Sequence, residues 1–512
     1  MDNLSYDKKR PTFGTGGIRA VMGFGSECFN AGLVRAATIG AARWANEKYG
    51  DDAMKLGFVV CCDTRNHSTA YAHLCADVLS IAGFRSRIFK QPTPTPLLSY
   101  AIRRFGACAG IAITASHNAA AYNGFKVYDA TGNQLTPDDT ALIARKTDDF
   151  LLDGVDRLPQ RIYSEVTVIG PSLLEEYISK VIASFPAATN PEKLRIVYTP
   201  LFGAGRLAVS KILTSAGFSD LLLVATQMKE NGDFPGLAAP NPEDEESLES
   251  ALMLGLKRMA ALAIATDPDC DRIAVCARRG YNFDKLTGSE LGALLCDYVT
   301  RNFKWDDDRT PVVLKTVVTG ELGAKIARSR GFKVRETLTG FKYIGALINE
   351  LEQSETERFA FAYEESCGYL ATSLVRDKDG ISSSLLACLT AAECLSRNQT
   401  LFDHLKELNE QFGYTFDSLE TVETFSGSEI MRTLRERPLF NNCEIDDYSV
   451  AKGGLPSADL LKYRFSDGSV VAVRPSGTEP KLKIYCFAAA PSEDAAKLRH
   501  DGLIAEIKEA VL

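Results

Sequence analysis

No two cysteines of this chain are spaced as Cys-x-x-Cys, so neither a zinc ribbon nor a dithiol redox motif is expected. The cysteines number 13, an odd count, with Cys61 and Cys62 adjacent and Cys75, Cys276 and Cys296 inside apolar runs. Thiols in such places behave as small hydrophobes, which argues for a reduced, cytoplasmic protein without a disulfide framework. The start, MDNLSYDKKR, has no apolar core and does not read as a secretory signal. Runs of about 18 apolar residues are missing, so no membrane span is expected, and no segment is of low complexity. Positive charge is not in excess either: 58 Lys and Arg stand against 66 Asp and Glu, a net charge of −8. Such a balance gives no general pull toward nucleic acid or a membrane. An anionic substrate must be captured by a local basic cluster.

What is present is material for several cores. The chain has 512 residues, 45% of them hydrophobic, and at roughly 150 residues per domain this predicts three or four domains. Short apolar runs alternate with segments of helical period. GFVVCCD (57–63) reads as a buried strand, followed by a helix over Ala70–Ala82 and a strand at Arg85–Phe89, a pattern that argues for βαβ units. AGIAITASHN (109–118), ALAIATDPDCDR (261–272) and RFAFAYEESCGY (358–369) share one design, an apolar run that stops in a polar loop. Ligands of α/β sheets bind at the carboxyl ends of strands, so three similar domains around one cleft are expected. Phe185–Lys193 reads as a linker and Trp305–Thr310 as a charged break. VVAVRPSGTEPKLKIYCFA (470–488) reads as strand, tight loop, strand, in a domain of different type.

Each polar loop has a plain reading and a chemical one. Thr114-Ala115-Ser116-His117-Asn118 is by itself an ordinary loop-and-cap sequence. With Lys126 nearby in NGFK, it also supplies a hydroxyl, a hydrogen-bond donor and a candidate acid/base. Asp267, Asp269 and Asp271 sit at alternate positions, which on an extended segment point to one side. Three like charges repel unless a cation joins them, and an oxygen-only set favours Mg²⁺; the Gly and Glu of an EF-hand loop are missing. Phe13-Gly14-Thr15-Gly16-Gly17-Ile18-Arg19 is neither a P-loop nor a dinucleotide fingerprint, but it allows close backbone approach to an anion, with Arg19 as charge partner. TGFK with Lys342 and RDKDG with Lys378 read equally well as solvated turns. Glu364-Glu365-Ser366 offers acceptors for sugar hydroxyls or a plain exposed end. Around Gly477, Arg474, Ser476 and Thr478 make a fitting phosphate cradle.

Taken in order, FGTGGIR, TASHN with NGFK, DPDCDR, TLTGFK, EESCGY with RDKDG, and RPSGTEPK resemble the α-D-phosphohexomutase superfamily from Phe13 to about Tyr485. TLTGFK and YEESCGY are most similar to the phosphoglucomutases of its bacterial and phosphopentomutase-like branch. The resemblance implies an α/β fold of four domains around a central cleft, three related α/β units with mixed sheets and a C-terminal α+β domain. The expected bounds are 1–188, 189–304, 305–410 and 411–512. It implies a phosphoserine at Ser116, with Mg²⁺ held by Ser116, Asp267, Asp269 and Asp271. His117, Lys126 and Arg19 would surround the transfer, Lys126 as acid/base. Thr15, Arg272, Lys342, Glu364, Ser366, Lys378, Arg474, Ser476, Gly477 and Thr478 would bind the substrate. The implied activity interconverts glucose 1-phosphate and glucose 6-phosphate through glucose 1,6-bisphosphate, in a monomer or homodimer. A mannose- or pentose-directed mutase, a phosphatase and an inactive sugar-phosphate-binding paralogue are the alternatives. Two departures stand out: Phe202 where the family usually has His, and Tyr363 where some relatives carry Gly.

Overall fold

The computed structural model of the protein describes residues 10–14, 16–153, 164–305, 307–424, 426–440, 442–475 and 481–511. The chain forms two compact units. The first comprises Met1–Lys285, Gly340–Ser354 and Gly368–Arg397; the second comprises Leu286–Thr339, Glu355–Cys367 and Asn398–Leu512.

Continuous apolar runs become central strands of the first unit because both faces of each are covered. Its larger sheet holds β1 (Ile18–Val21), β2 (Phe58–Cys62), β3 (Ser86–Phe89), β4 (Ala109–Ile113), β5 (Tyr122–Asp129) and β6 (Val166–Ile169) in the order β1-β5-β4-β2-β3-β6. β2 and β4 are buried at every position. The helices Ala31–Tyr49 and Ser68–Ile81 contribute Val34, Ala37, Cys75 and Leu79 to the core of this sheet. A second sheet holds β7 (Ile196–Thr199), β8 (Leu221–Leu223), β9 (Leu262–Thr266), β10 (Ile273–Arg279) and β11 (Asn282–Lys285) in the order β11-β10-β9-β7-β8.

Both sheets are mixed and share one local topology. β4 runs parallel to β2 and then returns antiparallel as β5. β9 runs parallel to β7 and returns antiparallel as β10. The polar loop of each apolar run is therefore the turn between a buried parallel strand and its antiparallel return.

In the second unit, β12 (Thr310–Thr316) lies between β13 (Lys333–Thr337) and β14 (Glu357–Glu364), all parallel. A short strand β15 (Gly368–Leu370) belongs to a segment of the first unit. The C-terminal sheet is antiparallel, with β16 (Tyr414–Glu423), β17 (Cys443–Asp447), β18 (Leu461–Phe465), β19 (Val470–Pro475) and β20 (Lys481–Ala490) in the order β16-β20-β19-β18-β17. Helix Glu493–Val511 closes its core through Leu503 and Ile507. The sequence anticipates this change of character at Phe412. All 13 cysteines are free, and no helix among the described residues is long and apolar enough to cross a membrane.

Candidate functional site

Ser116 sits in the β4–β5 turn in left-handed backbone, with φ 52°, and it is 1% exposed. Non-glycine residues hold that conformation only when their surroundings impose it. Here the Ser116 amide donates to Thr114 Oγ1 at 2.8 Å, and Thr114 Oγ1 donates to Asp63 Oδ2 at 2.6 Å. Asp63 also accepts from Ser68 Oγ at 2.8 Å and pairs with Arg65 at 3.2 Å. The Arg65 guanidinium then gathers four carbonyl oxygens of the turn, those of Ser116, Asn118, Ala119 and Tyr122. Two glycines make room. A Cβ on Gly17 (φ 90°) would lie 2.3 Å from the Phe125 carbonyl oxygen, and one on Gly124 would lie 2.4 Å from that of Thr114.

Ser116 Oγ donates to Asp267 Oδ2 at 2.7 Å and lies 3.2 Å from His117 Nδ1. Arg19, on β1, donates to Asn118 Oδ1 at 2.8 Å. Burial, with Arg272 and Arg19 nearby, pushes the His117 imidazole well below its usual range, so the ring is neutral near pH 7.

The β9–β10 turn brings Asp267, Asp269 and Asp271 together, one oxygen of each within 4.8 Å of the others, all buried. The segment is not extended, contrary to the alternating-position argument. Cys270 has φ 54° and its amide donates to the Asp267 carbonyl, while the amides of Asp271 and Arg272 donate to Asp267 Oδ1 at 3.1 Å. The carboxylates meet because the chain curls around Asp267, not because alternate residues share a strand face.

Lys126 Nζ, from β5, is 2.7 Å from Asp269 and 3.7 Å from Asp271, and Lys378 Nζ is 3.0 Å from Asp271. Burial alone would lower the Lys126 pKa, but Asp269 and Asp271 outweigh it and raise it. Asp267 is pushed well above the usual carboxylate range by burial and by Asp269 and Asp271. Asp269 Oδ1 and Asp271 Oδ1 are buried without a hydrogen-bond partner among the described residues. Three oxygen donors with two unsatisfied lobes fit a hard divalent cation, and nitrogen- or sulfur-preferring metals find no matching ligand among them.

The remaining substrate candidates divide between the units. In the first, Arg272 pairs with Glu243, and Lys342 lies in the first turn of helix Phe341–Gln353 with its ammonium 5.3 Å from the Tyr343 ring centre. In the second, Glu364 ends β14, buried, and Ser366 is half-buried. Glu365 accepts from Thr316 Oγ1 at 3.1 Å and Thr319 Oγ1 at 2.9 Å. Arg474, on β19, donates to Thr339 Oγ1 and keeps a buried Nε without a hydrogen-bond partner among the described residues. Thr15, Ser476, Gly477 and Thr478 lie outside the described residues. Tyr363 is a core residue, fully buried and stacked on Phe361 at 5.7 Å, its ring packed where Gly292 and Gly323 leave space.

Sequence reasoning missed Asp63, Arg65, Thr114, Tyr128, Gln134 and Asp377. The Tyr128 hydroxyl and Gln134 Nε2 donate to Asp377 Oδ2 at 2.8 and 2.6 Å, beside Lys378. One signal was available for Asp63 and Arg65: Asp63-Thr64-Arg65 follows β2 just as the Ser116 loop follows β4.

Residues 10–150, 175–280 and 287–412 match phosphoglucomutase/phosphomannomutase alpha/beta/alpha domains I, II and III, and 437–503 match the C-terminal domain of that family. The chain is 33% identical over 504 residues to a phosphoglucomutase of Staphylococcus saprophyticus, covering 93% of this chain and 90% of the relative. Among solved structures it is similar to parafusin, a phosphoglucomutase from Paramecium in an open form. That likeness has a TM-score of 0.75 at 20% identity and covers 98% of this chain and 95% of the other. It is also similar in fold to an Aspergillus fumigatus N-acetylphosphoglucosamine mutase variant in complex with glucose 1,6-bisphosphate, with a TM-score of 0.52 at 15% identity, covering 99% and 97%.

Proposed function

The chain belongs to the phosphoglucomutase/phosphomannomutase family, and on that premise we propose that it interconverts α-D-glucose 1-phosphate and glucose 6-phosphate through a phosphorylated Ser116. The observation that carries the proposal is the buried Ser116 hydroxyl, 2.7 Å from Asp267 and beside a cluster of three carboxylates and two lysines. Phosphoryl transfer depends on positioning and charge neutralisation more than on covalent chemistry. Glucose as the sugar rests on the relatives named phosphoglucomutase, and the bisphosphate intermediate on the fold relative bound to glucose 1,6-bisphosphate.

Asp267, Asp269 and Asp271 would hold Mg²⁺ next to Ser116, where the ion supplies charge stabilisation for the transferring oxygens. The protein's own residues do the rest. The Arg65 clamp and the left-handed turn aim Oγ at the substrate. In the forward half-reaction the P–O bond to Ser116 breaks as a bond to the sugar hydroxyl forms. The proton lost by that hydroxyl is balanced by one gained at Ser116 Oγ. Lys126, held as an ammonium by Asp269 and Asp271, is the group proposed to hand its proton to Ser116 Oγ and to take up the proton that the sugar hydroxyl releases, and the reverse transfer runs the same exchange backwards. Neutral His117 donates a hydrogen bond without adding charge. Arg19 steadies the turn through Asn118. The bisphosphate then turns over and returns its other phosphoryl group to Ser116. Arg474 with Ser476, Gly477 and Thr478 is proposed to grip the phosphate that is not reacting. Glu364 and Ser366 would read the sugar hydroxyls, with Thr15, Arg272, Lys342 and Lys378 adding contacts to phosphate.

Assaying the 1-phosphates of glucose, mannose, glucosamine and ribose side by side tests the assignment. Glucose 1-phosphate is expected to give the largest kcat/KM. A higher value for mannose or ribose would move the chain to another branch of the family, and no turnover of any would overturn the mutase reading.

A further inference from the structure

The turn Thr199–Gly203 carries two adjacent non-glycine residues in left-handed backbone, Leu201 with φ 47° and Phe202 with φ 62°. Such a pair persists only where neighbours over-determine it. The Leu201 amide donates to Thr199 Oγ1 at 3.1 Å and the Phe202 amide to the Gln227 carbonyl at 3.0 Å. Thr199 Oγ1 in turn donates to Gln227 Oε1 at 2.5 Å. The turn is pressed against the acidic loop: the Ala204 amide donates to the Pro268 carbonyl at 2.8 Å. A Cβ on Gly203 would lie 2.6 Å from Pro268 Cα and 3.0 Å from the Asp267 carbonyl oxygen.

The Phe202 ring is 4% exposed, and its centre lies 6.5 Å from that of Phe234, which is 1% exposed. The same Phe234 ring has the Arg65 guanidinium carbon 5.1 Å from its centre, a cation over an aromatic ring that buried surroundings strengthen. Phe234 is itself anchored near Arg65, because Asn66 Nδ2 donates to Asp233 Oδ1 at 2.6 Å and Gly232 packs against the Asn66 backbone. A continuous line of contacts therefore runs from the carbonyls of the Ser116 turn through Arg65, Phe234 and Phe202 to Pro268 and Asp267.

We infer that Arg65, Phe234 and Phe202 form a positioning stack that keeps the Ser116 turn in register with the Asp267–Asp271 loop. The inference rests on Ser116 as the phosphoryl carrier. Ser116 Oγ now reaches Asp267 by donating its hydrogen, and a phosphorylated Oγ has no hydrogen to donate. That link is lost in half of the cycle, whereas the stack uses no reacting atom and holds the register in both halves. Packed rings transmit position because the interior around them is dense and poorly compressible.

The test compares Phe234→Leu, Phe202→Leu and Phe234→Tyr in the full-length enzyme. It reads steady-state kcat and KM for glucose 1-phosphate, single-turnover transfer from Ser116 phosphorylated with glucose 1,6-bisphosphate, and Tm. Misplacement of about 1 Å costs on the order of 100-fold, so either leucine variant should lose about 10- to 100-fold in kcat and in single-turnover rate. KM should stay within about 3-fold, because sugar contacts lie elsewhere, and Phe234→Tyr, which keeps the ring, should recover most of the rate. If a leucine variant does not fold, Phe234→Met or Phe202→Met at the same position takes its place with the same expectation of lowered kcat at near-constant KM. Folded leucine variants with parental single-turnover rates would overturn the stack. So would a loss of rate in Phe234→Tyr as large as that in Phe234→Leu. Failure of the parent enzyme to carry phosphate on Ser116 would instead overturn the reading on which the stack depends.

Discussion

The Ser116 turn and the Glu364–Ser366 loop both end an apolar strand, yet they are held in very different ways. A buried arginine binds four carbonyls of the Ser116 turn, and two lysines pair with the adjoining carboxylates. The Glu364–Ser366 loop is fixed at Glu365 by two threonine hydroxyls, and Arg474, in the same unit, keeps an Nε with no partner among the described residues. A reacting hydroxyl needs placement to a fraction of an ångström, and many buried charge-assisted bonds supply that. Arg474, proposed to grip the phosphate that is not reacting, acts on binding rather than on placement of the reacting hydroxyl. The comparison predicts that changes near Ser116 act on kcat and changes near Arg474 act on KM.

The largest expected effect is that of Ser116→Ala, which should lower kcat at least about 1000-fold while circular dichroism and Tm stay near parental. Turnover within about tenfold of the parent would remove Ser116 from the chemistry.

Next is Asp269→Asn, expected to lower kcat about 100- to 1000-fold with a much smaller change in KM. Asp269 is held below the usual carboxylate range: burial opposes this, but Lys126 and its hydrogen bond prevail. The variant also leaves Lys126 with a weakened partner, so a fall in Tm should accompany the kinetic loss. Full activity after exhaustive EDTA treatment would contradict a role for a divalent cation here.

Arg474→Ala should raise KM for every sugar phosphate by about 30- to 150-fold, on the order of 2–3 kcal/mol for a lost charge-assisted contact, without reordering the sugars. Glu364→Ala should reorder them according to their C3 and C4 hydroxyls. If Arg474→Ala reshuffles preference while Glu364→Ala weakens all substrates equally, the two roles are exchanged.

The smallest effect sharpens the contrast inside the second unit. Burial, then Glu290, pushes the Asp417 carboxyl up to about 7, beside a cavity lined by Ser289, Gly320 and Asn409. A raised carboxyl contributes stability that is full below about pH 4 and lost as pH rises through about 7. Asp417→Asn should therefore lose less stability than the parent between about pH 5 and pH 8, by about 2–3 kcal/mol. Parallel pH profiles of Tm for the two proteins would exclude this.

Legibility in the sequence followed the same divide. Ser116, Lys126 and the three aspartates stand in short runs whose chemistry is local, and apolar strands with polar ends announce where they lie. The fold was legible for the same reason, since β2, β4 and β9 are buried at every position and all but wholly apolar. The restraints were not legible. Arg65 lies 51 residues before Ser116, and Tyr128 lies 249 before Asp377, so their value appears only when the chain is folded. The curl of the acidic loop was misread because its cause is a left-handed Cys270, a conformation that no spacing rule supplies. Phe202 read as a departure from the family pattern, but folded it is a buried ring against Phe234.

The most direct measurement is to load the protein with glucose 1,6-bisphosphate, map the phosphate by peptide mass spectrometry, and chase with glucose 1-phosphate in a single turnover. The account predicts one phosphoserine, at Ser116, whose loss matches the appearance of sugar bisphosphate. Phosphate on another residue that chases at the catalytic rate, with Ser116→Ala still turning over, would contradict it.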